Sequence, residues 1–216
     1  MSGKRLYVSL GFDVTNILSS LLERGFGDGV ELVLLVPKTR SERNVNAIKN
    51  VELLLAELGS RGHHIGLRIL ELDEHNPSKA LRDLISDIKE SDGDVYLDAV
   101  GGLRVICLVM CMAAMLVMKN VRITSVAEST GRRVELPRIS LSFLAGLSGA
   151  KLDVLRRLSD GISTLSELEA ELGKDKSTLS KHLSKLEEMG LVIKESSKPA
   201  KYKLTEVGEL VLMALG

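Results

Sequence analysis

Between a β-prone segment and a long apolar one the chain reads Asp98-Ala99-Val100-Gly101-Gly102-Leu103-Arg104. Residues 94–100 have the make-up of a buried strand, and residues 103–119 that of a helix. The two glycines therefore sit at a strand-to-helix junction. Glycine lets backbone amides approach a bound anion closely, and a helix N-terminus carries about half a positive charge. Arg104, in the first turn, adds a planar fork suited to a phosphate or a base edge. The plainer alternative is that Gly101 and Gly102 only permit a tight turn.

Working outward, the same junction occurs once before. Residues 5–9 form a strand, and Ser9-Leu10-Gly11-Phe12-Asp13-Val14-Thr15 leads into a helix over 15–23. Strands are expected at 30–36, 65–72 and 121–128, and helices at 41–58 and 77–90. Residues 131–136 add a short hairpin arm. Strand and helix in alternation predict an α/β fold, a Rossmann-like doubly wound parallel sheet with helices on both faces. Such sheets bind ligands beyond the carboxyl ends of their strands, where the strand order reverses. The first-loop residues Gly11, Phe12 and Asp13 and the fourth-loop residues Gly101, Gly102 and Arg104 are the candidates there. Thr39, Arg40 and Ser41, which follow the second strand at the same edge, are weaker ones. Asp13 suits hydroxyl or amine donors, or a helix cap, better than a phosphate.

From residue 149 onward the pattern changes to short helices. Thr164 and Glu167 have capping-box spacing, and Gly173 fits the end of that helix. A third helix over 176–189 is followed by two short β-prone segments around Lys198-Pro199-Ala200-Lys201 and a last helix. Helix, helix, turn, helix, hairpin is the order of a winged helix-turn-helix. The domains are thus 1–136 for the Rossmann-like unit, 137–148 for a connector and 149–216 for the winged helix.

On the third of these helices Leu179, Leu183 and Leu186 form a narrow apolar stripe. Ser177, Lys181, Ser184 and Lys185 lie opposite, with Thr178, Ser180 and His182 at the flanks. Such a helix can be pinned to a core and pushed into a major groove, where hydroxyls and lysines meet base edges or phosphates. Lys198 and Lys201 would meet the flanking backbone. An ordinary amphipathic surface helix is the competing reading. The charge distribution favours DNA: the chain is neutral, with 29 basic and 29 acidic residues, yet 174–203 holds eight lysines against four acids. Arginine is absent from 158–216, so bidentate arginine readout of guanine is not available there.

Composition excludes several classes. An apolar content of 44% supports a packed core, and 3% aromatics without tryptophan disfavours a cage of stacked rings. The longest apolar run, 105–118, has 14 residues and falls short of the roughly 20 a spanning helix needs. With no leader-like segment at the start, a cytoplasmic protein without membrane contact is expected. Cys107 and Cys111 fit neither a disulfide framework nor a zinc finger, and His63, His64 and His75 lack metal-ligand spacing. No metal site, catalytic triad or phosphate-cradling Gly-x-x-x-x-Gly-Lys-Ser/Thr loop is found. Because the helix over 103–118 is apolar on every side, one face can cover the sheet while the other awaits a partner. A homodimer is expected, unless other helices of the chain bury that face.

The stretch from Ser177 to Met189, with Gly190-Leu191-Val192 and Lys201-Tyr202-Lys203-Leu204-Thr205-Glu206-Val207-Gly208, resembles the recognition helix, wing and closing helix of MarR/ArsR-like regulators. The whole chain, with its Gly-Gly-x-Arg loop and Leu10-Gly11-Phe12-Asp13, resembles archaeal CRISPR-associated transcription regulators that join a CARF domain to a MarR-like winged helix. That resemblance implies a dimer binding a cyclic oligoadenylate as an allosteric ligand, cyclic tetra-adenylate foremost, across its two-fold axis. It also implies double-stranded DNA as a partner and control of CRISPR genes or arrays. No resident cofactor and no catalytic residue are expected. Slow cleavage of the ligand, with Ser9, Thr15 and Arg104 orienting it, and a regulator sensing another nucleotide or metabolite are the alternatives.

Overall fold

A computed structural model describes residues 4–11, 15–23, 29–39, 41–117, 119–140 and 145–215, with Glu23 described for its backbone alone. Phe12, Asp13 and Arg40, the end of the apolar run at Met118 and part of the expected connector lie outside the described residues. The chain divides into two compact units, Met1–Ser140 and Leu141–Gly216.

The first unit runs β1 (Lys4–Ser9), α1 (Thr15–Glu23), β2 (Val30–Pro37), α2 (Glu42–Ser60), β3 (Gly66–Leu72), α3 (Pro77–Lys89), β4 (Val95–Asp98), α4 (Arg104–Leu116), β5 (Val121–Ala127) and β6 (Arg132–Glu135). Its sheet has the order β3-β2-β1-β4-β5-β6. The first five strands are parallel, and β6 pairs antiparallel with β5. The sequence is apolar enough to bury both faces, as a parallel sheet requires. Leu6, Val8, Leu32 and Leu34 pack with Ile17 and Leu21 of α1 and Ala47, Ile48 and Val51 of α2. Tyr7, Val33, Leu35 and Leu97 pack on the other face with Leu84 and Ile88 of α3 and Ile106, Val109 and Met110 of α4. Alternate residues of one strand thus serve opposite layers, and the doubly wound expectation holds.

Two elements end short of the sequence reading, and the hairpin arm joins the sheet. Strand β4 ends at Asp98 although Ala99 still donates to Thr124 O, because the chain then peels toward Gly101. Helix α4 ends at Leu116, since Val117 turns extended and sinks into the core at 1% exposure. The expected hairpin arm is a sixth sheet strand. Its turn at Gly131 takes φ +68°, a conformation glycine adopts without strain.

The second unit runs α5 (Gly149–Ser159), α6 (Leu165–Leu172), α7 (Lys176–Glu188), β7 (Val192–Glu195), β8 (Lys201–Leu204) and α8 (Glu206–Leu215). The Thr164–Glu167 capping box forms, and Gly173 ends α6 in the left-handed region at φ 59°. Val154, Leu155 and Leu158 of α5 meet Leu168 of α6, Leu179, Leu183 and Leu186 of α7, and Val211 of α8. Strand β8 pairs with β7, and Tyr202 N donates to Ser163 O, which ties the hairpin to the start of α6. A Cβ on Gly208 would stand 2.1 Å from Leu191 O, so α8 can only pass there without a side chain.

Candidate functional site

Strands β1 and β4 are neighbours, and from them the chain winds outward in opposite directions. This is the reversal point at which doubly wound sheets open a crevice. The register Val8↔Asp98 brings the loops after both strands level with each other. They then pack backbone to backbone. A Cβ on Gly11 would lie 3.1 Å from Gly102 N, and one on Gly101 3.2 Å from the Gly11 Cα. Gly102 has φ +82°, and a Cβ there would sit 2.5 Å from Leu10 O. The glycines are therefore required by the contact between the two loops, which makes them one platform.

A cavity of about 600 Å³ opens over that platform, lined among others by Asn16, Gly101, Gly102, Arg104, Cys107 and Glu128. Arg104 is exposed at its edge and has no side-chain partner among the described residues. Helices α2, α3, α6 and α7 are capped by side chains of Ser41, Asn76, Thr164 and Asp175. Helix α4 begins after Leu103 with no side-chain cap, as α5 does after Ser148, so its first amides lack that partner. An uncapped helix start beside a free guanidinium is a place for an anion.

Beneath the platform lies a buried ion pair that the sequence reading missed. Asp98, fully buried at the end of β4, accepts from Arg133 of β6, from Ser20 of α1 and from Thr124 Oγ1 of β5 at 2.7 Å. Arg133 Nη2 also donates to Asn16 O at 3.4 Å. One carboxylate thus holds α1, β5 and β6 around the cavity floor. Ser9 has a related duty: it is buried, and its hydroxyl accepts from Gly101 N at 3.4 Å. Burial, with Cys107 nearby, pushes the Cys111 thiol up. Among the described residues no group of three or more His, Cys, Asp or Glu is placed to hold a metal ion.

The structure thus gathers Gly101, Gly102 and Arg104 on the cavity, with Gly11 packed beneath them. Thr39 and Ser41 stand apart from its lining. Thr39 N donates to Glu74 Oε1 at 3.3 Å, and Ser41 is the N-cap of α2 in a reciprocal box with Asn44. Asn16, Ser125, Val126, Glu128 and Leu136 join the lining without having been expected. The rule that ligands sit beyond strand carboxyl ends would have reached Ser125, Val126 and Glu128, since β5 neighbours β4.

In the second unit Leu179, Leu183 and Leu186 are buried and Ser177, Ser180, Lys181, Ser184 and Lys185 are exposed, as the stripe requires. Thr178 and His182 are half-buried. Asp175 caps α7, accepting from Ser177 Oγ at 2.6 Å, Thr178 N at 2.9 Å and Thr178 Oγ1 at 2.8 Å. Those bonds hold its carboxyl well below the usual carboxylate range. Both hydroxyl protons are therefore committed, and Ser177 and Thr178 could only accept from DNA. Lys185 Nζ is paired with Glu188 at 2.8 Å, whereas Lys181 and Lys198 are exposed without a side-chain partner among the described residues, and Lys201 is exposed within electrostatic reach of Glu167 and Glu195.

The fold defines a Rossmann-like domain followed by a winged helix-turn-helix. Residues 4–137 match the family described as Csa3 CRISPR-associated Rossmann-like domain, and the chain belongs to that family. Residues 148–194 match the bacterial regulatory protein, arsR family. Similar solved structures include Enterococcus italicus Csm6 bound to cyclic hexa-2′-fluoro-hexa-dAMP, at 12% identity and a TM-score of 0.48, over 80% of this chain and 49% of that one. Protein VC1899 from Vibrio cholerae is similar at 13% identity and a TM-score of 0.46, over 97% of this chain and 64% of that one. The chain thus spans about half and under two thirds of the length of these two proteins. No curated protein matches the chain. Among the described residues, no helix is long and apolar enough to cross a membrane.

Proposed function

We propose that this chain is the protomer of a homodimeric, cytoplasmic transcription regulator of CRISPR genes or arrays. Its Rossmann-like domains bind a cyclic oligoadenylate, cyclic tetra-adenylate foremost, and its winged helices bind double-stranded DNA. The observation that carries the reading is Arg104, free beside the uncapped start of α4 over a cavity at the β1/β4 reversal point. A polyanion with several phosphates meets there both a helix dipole and a guanidinium fork.

Dimerisation is supported by α4 itself. Its inner face is buried, but Leu108 is 64% and Met112 51% exposed, with Met115 and Leu116 also open. These positions share one side of the helix, and Leu108 also lines the cavity. A second copy covering that side would join two cavities across a dyad, matching a ring-shaped ligand. Two winged helices would then reach half-sites about 34–36 Å apart or a multiple of that. Coupling between ligand and DNA would be worth about 1–3 kcal/mol.

The test is a selection of DNA fragments from the source genome by the purified protein, with and without saturating cyclic tetra-adenylate. A discrete set of fragments whose recovery changes with ligand is expected. Recovery that is identical in both arms contradicts the ligand-responsive reading, and no enrichment in either arm contradicts the DNA-binding one.

A further inference from the structure

Arg104 accounts for a phosphate, but the cavity has a second charged wall that a phosphate site does not need. Glu128, just past β5, borders the same space and is exposed with no side-chain partner among the described residues. A carboxylate can only accept hydrogen bonds, and it repels phosphate. Its ligand must therefore present a donor. A 3′,5′-linked cyclic oligoadenylate carries just two kinds, the adenine N6 amine and the ribose 2′-hydroxyl. The neighbouring lining decides between them. Val126, two residues before Glu128, and Leu108 and Leu136, which line the same cavity, give apolar surface fit for the face of a base. A base resting there turns a polar edge toward the wall's charged rim.

Resting on the cyclic-oligoadenylate reading above, we infer that Glu128 is a specificity-determining residue that accepts from the adenine N6 amine. With the base held so that position 6 faces the carboxylate, adenine is chosen over hypoxanthine or guanine because those bases place a carbonyl oxygen where adenine has its amine. An oxygen facing the carboxylate leaves both groups unsatisfied and mutually repelled. Asn16, at the start of α1, lies on the same cavity without a side-chain hydrogen bond among the described residues. Its amide both donates and accepts, the combination that complements an adenine edge.

The experiment is calorimetric titration of full-length protein with three rings: cyclic tetra-adenylate, cyclic tetra-inosinate and the 2′-deoxy form of cyclic tetra-adenylate. Wild type and Glu128→Gln are compared, with thermal melts to verify that the exposed substitution leaves folding intact. Wild type is expected to favour adenylate over inosinate by roughly tenfold or more, the discrimination typical of one well-placed base contact. Glu128→Gln supplies a donor for the inosine oxygen, so the ratio should fall to near unity, mainly through a gain in inosinate binding. Wild type binding adenylate and inosinate equally would overturn the assignment and leave the parent reading standing. So would a substitution that alters only discrimination between ribose and deoxyribose rings. Wild type binding no ring at all would overturn the parent reading, and this assignment with it.

Discussion

The two ends of the six-stranded sheet use the same kinds of charged side chain to opposite effect. At the amino end, Arg5, Tyr7, Glu31, Arg68 and Asp87 satisfy one another. Arg68 grips Asp87 through two bonds of 2.5 and 2.8 Å, and Tyr7 donates to it at 2.5 Å. Arg5 pairs with Glu31 at 2.5 Å. At the carboxyl end the buried pair of Asp98 and Arg133 is just as saturated, but Arg104, Glu128 and Asn16 above it are not. Charge at the amino end joins β1, β2 and β3 to α3. At the carboxyl end it braces the ends of β4, β5 and β6 and leaves Arg104, Glu128 and Asn16 without side-chain partners among the described residues. Those unpaired groups, more than the glycines, support the proposed ligand site at this end.

The comparison breaks most visibly at Asp98. Replacing it by alanine removes the buried carboxylate that Arg133, Ser20 and Thr124 share, and the expected loss is about 3–5 kcal/mol of first-unit stability. Hydrogen exchange of the β4, β5 and β6 amides measures it. A loss no larger than that of an exposed site would mean that the floor is held by other contacts.

The amino end should respond next. Asp87→Asn keeps the shape but weakens bonds to Arg68 and Tyr7, costing about 2 kcal/mol. Burial alone would raise the Asp87 carboxyl, but the bonds from Arg68 and Tyr7 outweigh it and hold the group below the usual carboxylate range. A depressed folded-state value means that its contribution is complete above the unfolded carboxylate range and fades as pH falls through the folded value. Urea titrations from neutral to acid pH should therefore show a shallower loss of stability for Asp87→Asn than for wild type.

The smallest change sharpens the account of the second unit. Lys181→Ala removes an exposed lysine without a side-chain partner. It should reduce the salt slope of DNA binding by about one while leaving ligand binding unchanged. Lys185→Ala, whose charge is shared with Glu188, should do less.

Much of the fold was legible in the sequence because alternation of strand and helix, capping boxes and helix-ending glycines are local signals. Thr164 with Glu167, and the stripe of Leu179, Leu183 and Leu186, appear as expected. The commitment of Ser177 and Thr178 to Asp175 was also within reach, since an acid three residues before a threonine is a cap signal. What could not be read was register. That Gly11 meets Gly101 and Gly102, and that Arg133 reaches Asp98, depends on β1 lying beside β4 and β6 beside β5. Thr39 and Ser41 show the converse. They share a sheet edge with the site, yet local bonds to Glu74 and Asn44 occupy them.

The most direct measurement is calorimetric titration of cyclic tetra-adenylate into wild type and Arg104→Ala. Saturation at one ring per two chains is predicted for wild type. For Arg104→Ala, whose folding stability should change by no more than about 0.5 kcal/mol, binding should be lost. No binding by wild type, or equal affinities for the two proteins, would contradict the account.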